Sequence, residues 1–416
     1  MPDYRGAVQT PRTEQAPDPR PGPGSGVAWF RGRVLREPVA HVPDVAREPE
    51  RLREPGHWVL VGAFEGPVAA WRFGVAEPTQ PGDPPGPAEP GAPGAAGASE
   101  ADVWRGPDAA AWSSSLDEAG YVAAVRAVRA AVREGAVYQA NVCRVLTAPL
   151  PASGGSEPDA LALGARLAAG NPAPFAGGVH VPAGGDVPPV WVVSASPELY
   201  LRVAGGWVTS APIKGTATHA GGLTAKDRAE NVMITDLVRN DLQRVCEPGT
   251  VEVTTLLGVE EHPGLVHLVS TVRGRLRDDV RDGADLWARL LGATFPPGSV
   301  SGAPKLAALD LIRRLEPVRR GPYCGAVGWV DVAPDGEVRA ELAVGIRTFV
   351  WADGVLRFGT GAGITWGSDP DAEWAETELK ASRLVALASR PGAGAAGPAT
   401  GMPATTARGD GAPVAD

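Results

Sequence analysis

The chain has 416 residues, enough for one large domain or two smaller ones with a substantial hydrophobic core. Its formal net charge is −9 at pH 7 and it shows no basic patch, which argues against nucleic-acid binding. Three widely spaced cysteines, Cys143, Cys246 and Cys324, favour a reducing cytoplasm over a disulfide framework and provide no zinc site. The sequence has neither a run of about 18 apolar residues nor an apolar signal core, so we expect a soluble cytoplasmic protein with no membrane partner.

Three segments rich in proline and glycine divide the chain. Residues 1–25 and 391–416 are predicted to be disordered, and residues 77–99 to form a surface insert that cannot pack. Between these segments we predict a short N-terminal subdomain over 26–114 and a larger catalytic domain over 115–390, where the motifs described below are found.

The first predicted elements are strands and one helix. Alternating residues over 57–75 predict two strands joined by a Gly-Pro turn. Ser115 and Glu118 are spaced as in a capping box, and the helix that follows ends at Gly135. A strand is predicted over 137–147.

The middle of the chain predicts a hairpin and then a helix. Strands over 198–203 and 207–211 flank a Gly-Gly turn, and the second strand leads to Lys214. Apolar residues at helical spacing predict an amphipathic helix over 226–245.

The last third of the domain predicts an antiparallel meander followed by a helix. Strands over 325–332, 338–351 and 355–359 are joined by two Asp-Gly turns, the strongest short hairpin signal. The final helix begins with Asp369 as its cap and Pro370 at its first position. Because the strands come in runs instead of alternating with helices, the predicted class is α+β.

Lys214 is the first candidate for chemistry. The chain has 39 lysine and arginine residues, but only four of them are lysines: Lys214, Lys226, Lys305 and Lys380. Arginine can replace lysine in most ion pairs, but it cannot lose its proton and attack as a nucleophile. A lysine retained in the segment Pro-Ile-Lys-Gly-Thr therefore indicates chemistry, with an ordinary surface lysine as the alternative.

Two predicted helices carry carboxylates one turn apart. Glu373, Glu376 and Lys380 fall on one stripe of the final helix, and Asp227 and Glu230 are three residues apart on the helix after Lys214. Two such helices can hold Mg²⁺, which keeps much of its own water and takes few protein ligands. The alternative is a solvated face with an internal ion pair.

A third candidate is the glycine-rich stretch Gly359–Gly363, predicted as a loop between a strand and the final helix. Glycines there let backbone N–H groups approach an anion closely. The spacing GxGxG after an antiparallel strand does not fit a dinucleotide site, and the segment from Gly298 to Lys305 departs from the phosphate-binding P-loop.

Together these stretches resemble the chorismate-utilising enzyme family, which includes anthranilate synthase large subunits, aminodeoxychorismate synthase component I, isochorismate synthases and salicylate synthases. The resemblance extends from Ser115 to Arg390 and rests on motifs in one order: GAVYQAN, SPELYL, PIKGT, DRAENVMITDLVRNDL, VHLVSTVRG, FPPGSVSGAPK, RGPYCGAVGW, GIRTF and GAGITWGSDPDAEWAETELKA. It implies the family's α+β fold, with large antiparallel sheets flanked by helices.

The resemblance also implies a reaction. PIKGT is similar to the aminodeoxychorismate synthases, whereas anthranilate synthases typically have alanine in place of Lys214. In that reaction Lys214 adds to C2 of chorismate and expels the C4 hydroxyl, and ammonia then displaces the lysine by attack at C4. Glu198 matches the acid that protonates the departing hydroxyl, for which it must itself be protonated. His267 matches a histidine that faces the reacting ring.

Binding roles follow from the same resemblance. Glu230 and Glu376 are expected to hold Mg²⁺, with Glu373 and Asp227 close behind them. The groups expected to contact chorismate are Tyr323, Arg347, Gly361, Ala362, Gly363, Lys380, Thr216, Ser299 and Gln139. Gln139 stands where isochorismate and salicylate synthases have a lysine base, so those two reactions are not expected.

Three functions are compatible with these residues and motifs. The first is synthesis of 4-amino-4-deoxychorismate, for folate or another p-aminobenzoate-derived metabolite, with ammonia from a separate glutamine amidotransferase subunit. The second is anthranilate synthesis, which Lys214 disfavours. The third is a non-catalytic subunit that docks an amidotransferase, which the retained candidate residues disfavour.

Overall fold

The structure is a computed structural model that describes residues 26–77, 104–217, 219–262 and 265–390. The segments 1–25 and 391–416, predicted to be disordered, lie outside the described residues. So does the proline-rich insert, apart from Glu77 at its start.

The described residues form eighteen strands. The first nine are β1 (Val27–Phe30), β2 (Arg33–Val42), β3 (Gly56–Gly62), β4 (Val68–Glu77), β5 (Ser113–Ser114), β6 (Gln139–Pro149), β7 (Phe175–Val181), β8 (Val190–Ser196) and β9 (Leu199–Ala204). The others are β10 (Trp207–Ala211), β11 (Ile213–Ala217), β12 (Glu252–His262), β13 (Leu265–Arg275), β14 (Gly302–Ala303), β15 (Ala326–Val332), β16 (Val338–Val344), β17 (Thr348–Ala352) and β18 (Val355–Ile364).

Seven α-helices accompany these strands in the described part of the chain. They are α1 (Glu118–Arg133), α2 (Ala160–Gly170), α3 (Ala225–Gln243), α4 (Asp278–Arg281), α5 (Leu286–Thr294), α6 (Lys305–Leu315) and α7 (Pro370–Ala388). None of the described helices combines the length and the hydropathy needed to cross a bilayer.

The strands form one long antiparallel sheet. Its hydrogen-bonded order is β6–β18–β17–β8–β7–β1–β2–β4–β3–β15–β16–β9–β10–β13–β12, with β11 beside β13 and the short strands β5 and β14 beside β6. Helices pack on this sheet, so the predicted α+β class, with antiparallel sheets flanked by helices, is confirmed.

The N-terminal strands are part of the same sheet. β1 pairs with β7 and β3 pairs with β15, so residues before 114 are hydrogen-bonded to residues far along the chain. The largest apolar cluster fills the space between the sheet, α3 and α5, and includes the fully buried side chains of Trp58, Ile234 and Trp287. The division of the chain at residue 114 stays a prediction.

The local hairpin predictions are confirmed, but the predicted meander is wrong at one point. The Asp-Gly turns join β15 to β16 and β17 to β18. Residues 338–351, predicted as one strand, form two: β16 pairs with β9, and β17 pairs with β8. The break lies at Gly345, where a Cβ would overlap the carbonyl oxygen of Pro322, and at Arg347, which has a φ of 52°. Close packing there redirects the chain to another part of the sheet.

Two further predictions need correction. Gly359–Gly363 is not a loop: it lies inside β18, and Gly361 and Gly363 are paired with Cys143 and Asn141 of β6. Ser115 is not the cap of α1, because its hydroxyl accepts a hydrogen bond from the N–H of Val145 on β6. The cap is Asp117, whose side chain accepts from the N–H of Gly120.

The cap at Asp117 predicts a difference between two variants. Asp117→Ala removes the cap of α1 and should lower the free energy of unfolding by about 1 kcal/mol. Glu118→Ala, which removes the glutamate of the predicted capping box, should change it by less than about 0.5 kcal/mol. Urea unfolding of both variants checks this. A larger loss for Glu118→Ala than for Asp117→Ala would contradict the assignment.

Candidate functional site

The candidate site forms where the two ends of the sheet meet. Gly363 on β18 and Lys214 on β11 belong to opposite ends of the strand order. A Cβ added to Gly363 would lie 3.2 Å from Nζ of Lys214 and 3.2 Å from Oδ1 of Asn141, and it would overlap Nε2 of Gln139. Glycine at position 363 therefore leaves room for three polar side chains to converge.

A β-bulge aims Lys214 into this space. The pairing of β11 with β13 is irregular between Ile213 and Thr216, and Gly215 has a φ of 96°. Bulges of this kind turn a side chain away from the regular alternation of a strand. The side chain of Asn231 on α3 supports the bulge, because its Nδ2 donates to the carbonyl of Leu268 at 2.8 Å and approaches that of Lys214 at 3.5 Å.

The environment of Lys214 favours its neutral amine. Burial lowers its pKa, and this effect outweighs the charges of Glu230 and Glu198, which act in the opposite direction. The ammonium of Lys380 lowers the pKa further. A larger fraction of Lys214 is therefore unprotonated than in an ordinary lysine, as a nucleophilic amine requires.

Glu198 lies next to Lys214 and is 3% exposed. Burial raises its pKa to about 7, although a hydrogen bond with the side chain of Ser299, the charge of Lys214 and the backbone of Ile213 each act to lower it. Glu198 and Ser299 also line a small internal cavity with Tyr200. At neutral pH much of Glu198 is the carboxylic acid, so it can donate a proton.

Carboxylates from α3 and α7 face each other across the site. Glu373 is 4% exposed and accepts a hydrogen bond from Nζ of Lys226 at 3.0 Å, and Oε1 of Glu230 lies 3.7 Å from the same atom. Oε1 of Glu230 is nevertheless buried without a hydrogen-bond partner. Burial raises the pKa of Glu230, against the charges of Lys214 and Lys226.

An orphaned buried carboxylate oxygen fits a cation-binding site. Within the ranges that the structure describes, no three His, Cys, Asp or Glu side chains form a ready-made metal cluster. Mg²⁺ does not require one, since it is commonly bound by one or two carboxylates and several waters. The residues available to it are Glu230 on α3 and Glu376 on α7.

The open edge of β18 presents backbone donors to the site. Nζ of Lys380 donates to the carbonyl of Gly361 at 3.2 Å, so this carbonyl points away from β6. Cys143 and Asn141 of β6 are the residues paired with Gly361 and Gly363. Their N–H groups donate to the side chain of Glu316 and the carbonyl of Ser301, respectively, and not to β18. Because the N–H and C=O of a strand residue point to the same side, the N–H groups of Gly361 and Gly363 also point away from β6. Ala362 lies between them and is buried.

Lys380 contacts this edge, and Arg347 directly precedes β17, the strand that pairs with β18. Nζ of Lys380 lies 2.6 Å from Oε1 of Glu376, one turn away on α7. Arg347 has a left-handed backbone with a φ of 52°, which is costly for a residue other than glycine. Burial lowers the pKa of its guanidinium, and its side chain forms no ion pair with any residue in the described ranges. Such a group suits an anionic ligand.

Two predicted residues have other surroundings. The ring of Tyr323 packs beneath Gly359, and burial raises its pKa, helped by the nearby thiol groups of Cys143 and Cys324. Asp227 forms a capping box with Thr224, which occupies its carboxylate at the start of α3. The ligand contacts assigned to Tyr323 and Asp227 stay predictions.

His267 is 2% exposed and lies on β13, opposite Thr216 of β11. Its position on the strand next to Lys214 is compatible with a role at the reacting ring, which also stays a prediction. Only the backbone of Thr216 is described, so its predicted contact with chorismate lies outside what the structure describes.

Sequence reasoning missed Lys226, Asn231 and Asn141. The signal for Lys226 was its spacing of four residues from Glu230, which is typical of a helical ion pair. Asn141 follows Gln139 by two residues, so both side chains lie on one face of β6. Asn231 gave no local signal, because its role depends on the packing of α3 against β13.

The raised pKa of Glu198 predicts a pH-dependent stability difference. A pKa raised from 4.5 to about 7 by folding favours the protonated folded state, so its contribution is complete below pH 4.5 and is lost as the pH rises through 7. Glu198→Gln, neutral at every pH, should therefore match the wild type near pH 4.5 and exceed its free energy of unfolding by about 3 kcal/mol at pH 8.

Urea unfolding between pH 4.5 and pH 8 measures this difference. Glu252→Gln, at an exposed ion pair with Arg273, is the matched control and should shift the free energy of unfolding by less than about 1 kcal/mol at each pH. A difference between Glu198→Gln and the wild type that stays constant across this range would contradict the assigned pKa.

Comparisons with known proteins identify relatives of this chain. The relatives include the anthranilate synthase component 1 of Streptomyces coelicolor, 40% identical over 291 residues that cover 67% of this chain and 53% of that protein. They also include the aminodeoxychorismate synthase component 1 of Salmonella typhimurium, 34% identical over 287 residues that cover 66% of this chain and 59% of that protein. The chain thus spans less than two thirds of the length of either relative.

A solved structure shares the fold. Anthranilate synthase component I from Streptococcus pneumoniae matches 91% of this chain and 95% of its own, with a TM-score of 0.64 and 20% identity. At that identity the likeness shows the fold alone. The family described as chorismate binding enzyme matches residues 96–386, which is more than half of the sequence. This chain is a member of the chorismate binding enzyme family.

Proposed function

We propose that this protein converts chorismate and ammonia to 4-amino-4-deoxychorismate. The observation that carries the proposal is Lys214, an amine with a lowered pKa that a β-bulge aims at the point where Gln139, Asn141 and Gly363 meet. A nucleophilic lysine is needed only if the enzyme forms a covalent bond to its substrate.

In the first half of the reaction Lys214 is the nucleophile and Glu198 the acid. The neutral amine of Lys214 forms a bond to C2 of chorismate, the ring double bonds shift, and the bond from C4 to its hydroxyl breaks. Glu198 gives its proton to the departing oxygen, which leaves as water, and the resulting carboxylate accepts the extra proton of the new C–N bond. The pKa of about 7 suits Glu198 to both roles at neutral pH.

In the second half ammonia replaces the lysine. Ammonia attacks C4, the double bonds shift back, and the bond from C2 to Nζ of Lys214 breaks. One proton of the incoming ammonia passes to the departing amine, so that both Lys214 and Glu198 return to their starting forms. We propose that ammonia comes from a separate glutamine amidotransferase, since the relatives in both functional classes carry the name component 1.

The carboxylates of chorismate would be bound at the edge of β18. Arg347 offers a guanidinium without an ion-pair partner among the described residues, which suits bidentate binding of a carboxylate. Lys380 and the N–H groups of Gly361 and Gly363 would supply further donors at the open edge of β18. Ser299, beside Glu198, would contact the hydroxyl end of the substrate.

Glu230 and Glu376 would hold Mg²⁺, with Glu373 behind them. Bound there, Mg²⁺ would neutralise the ring carboxylate of chorismate against the two glutamates. The support is the buried Oε1 of Glu230, which has no hydrogen-bond partner.

Anthranilate synthesis is the second candidate, favoured by the 40% identity to the Streptomyces coelicolor enzyme. That product would require elimination of pyruvate after amination, and it gives no role to a nucleophilic amine at position 214.

Isochorismate and salicylate formation are disfavoured because Gln139, an amide, cannot act as the base that activates water. A purely docking subunit would not need the paired pKa shifts of Lys214 and Glu198.

The covalent step gives a direct test. Incubated with chorismate and Mg²⁺ but no ammonia, the wild type should gain the mass of chorismate less one water on the peptide that contains Lys214. The peptides of Lys226, Lys305 and Lys380 serve as internal controls and should be unmodified. Lys214→Arg should form no adduct and should lose at least about 10³-fold in kcat with ammonium, because guanidinium is not a nucleophile.

Product analysis with ammonium completes this test. Release of 4-amino-4-deoxychorismate supports the proposal, and fluorescent anthranilate as the main product would contradict it. Turnover of Lys214→Arg close to that of the wild type would contradict the covalent role even if the product were the expected one.

The crowding at Gly363 predicts a second effect. In Gly363→Ala the new methyl group would overlap Nε2 of Gln139 and contact Nζ of Lys214, so kcat/KM for chorismate should fall by at least about 100-fold. Gly185→Ala is the matched control, because a Cβ there meets open space, and it should retain its activity. Equal activity of the two variants would place the substrate elsewhere.

A further inference from the structure

Lys226 joins the two helices that carry the carboxylates. Its Nζ lies 3.0 Å from Oε1 of Glu373 on α7 and 3.7 Å from Oε1 of Glu230 on its own helix α3. The side chain of Lys226 is 44% exposed, but those of Glu373 and Glu230 are only 4% and 14% exposed. The amine therefore reaches inward from the surface toward buried carboxylates.

This arrangement differs from an ordinary surface ion pair. A helix-surface pair joins two exposed side chains of one helix and contributes little stability. Lys226 instead lies between carboxylates of two helices, and the charge of Glu376 acts on it as well. One of its neighbours, Oε1 of Glu230, is buried and too distant for a hydrogen bond with the amine. This oxygen is available to a cation that binds it more closely than the amine does.

We infer that Lys226 is an exchangeable cation, which neutralises Glu373 and Glu230 until Mg²⁺ binds and which Mg²⁺ displaces. The inference rests on the magnesium site of the proposed function. An ammonium group 3.7 Å from Glu230 and a magnesium ion bound to that carboxylate would compete for the same space and the same charge. The side chain of Lys226 is half exposed and flexible, so its amine can move into solvent. A guanidinium held by several hydrogen bonds could not move in this way.

The exchange has a quantitative consequence. If the amine occupies the carboxylates for most of the time, the apparent affinity for Mg²⁺ equals the intrinsic affinity multiplied by the fraction of time in which the carboxylates are free. Lys226 would thus set the metal concentration at which the site fills. At Mg²⁺ concentrations too low to fill the site, Lys226 would also neutralise the charge of the buried carboxylates.

Calorimetric titration of Mg²⁺ into the protein, without chorismate or ammonia, tests the competition. Lys226→Gln should bind Mg²⁺ about tenfold more tightly than the wild type. Arg228→Gln removes the same charge from an exposed position on the same helix and should change the affinity by less than about twofold. Unchanged or weaker binding by Lys226→Gln, or an equal gain in both variants, would overturn the inference.

A second measurement reports on Lys226 itself. Acylation of the wild type with an N-hydroxysuccinimide ester, followed by peptide mass spectrometry, should show Lys226 reacting at least about threefold faster with saturating Mg²⁺, because the amine is released into solvent. Lys305, whose amine is held by Asp241 at 2.7 Å and by the carbonyl of Thr294 at 2.9 Å, should be unaffected. An unchanged rate at Lys226 while Mg²⁺ binds would overturn the exchange.

Neither measurement depends on the product of the reaction. If the exchange fails while 4-amino-4-deoxychorismate is still formed, only the role of Lys226 is wrong. If neither the wild type nor Lys226→Gln binds Mg²⁺, both the exchange and the assigned magnesium site are wrong. If the exchange is observed but the product is anthranilate, the proposed reaction is wrong and the role of Lys226 stands.

Discussion

Removal of water from around Lys214 and Glu198 is the constraint on which the rest of the site depends. Both groups are driven toward their neutral forms by burial, and each partly restores the charge of the other. In water the lysine would be a cation and the glutamate an anion, so neither could act in the proposed reaction. This partly buried pocket therefore favours an amine that can attack and an acid that can donate at the same pH.

Such a pocket needs walls that no local segment can provide. Lys214 lies at one end of the sheet and Gly363 at the other, and the intervening strands must curve until β11 approaches β18. One backbone irregularity lies at this contact, the bulge next to Lys214, where Gly215 has a φ of 96°. The bulge interrupts the pairing of β11 with β13 at the residue that it aims into the site, so the fold gives up regular pairing where it positions a functional group.

Sequence reasoning succeeded where a signal is local and failed where distant contacts decide. The two Asp-Gly hairpins are properties of four neighbouring residues, and both formed as predicted. Residues 338–351 kept a strand pattern throughout, but packing at Gly345 against Pro322 divides them between two regions of the sheet. Gly359–Gly363 looked like a loop because glycine is rare in strands, whereas the close approach of Cys143 and Tyr323 excludes any larger residue from that part of β18.

The four lysines show how composition carries chemical information. The chain uses arginine for a fully buried ion pair, that of Arg320 with Glu316, so burial and pairing alone do not demand lysine. Three of the lysines, Lys214, Lys226 and Lys380, instead surround one set of carboxylates. Arginine would fill this space with a fixed, permanently charged fork, whereas a lysine amine is compact, can lose its proton and can move on a flexible stem. The site requires the first two properties at Lys214, and the exchange inferred for Lys226 requires the third.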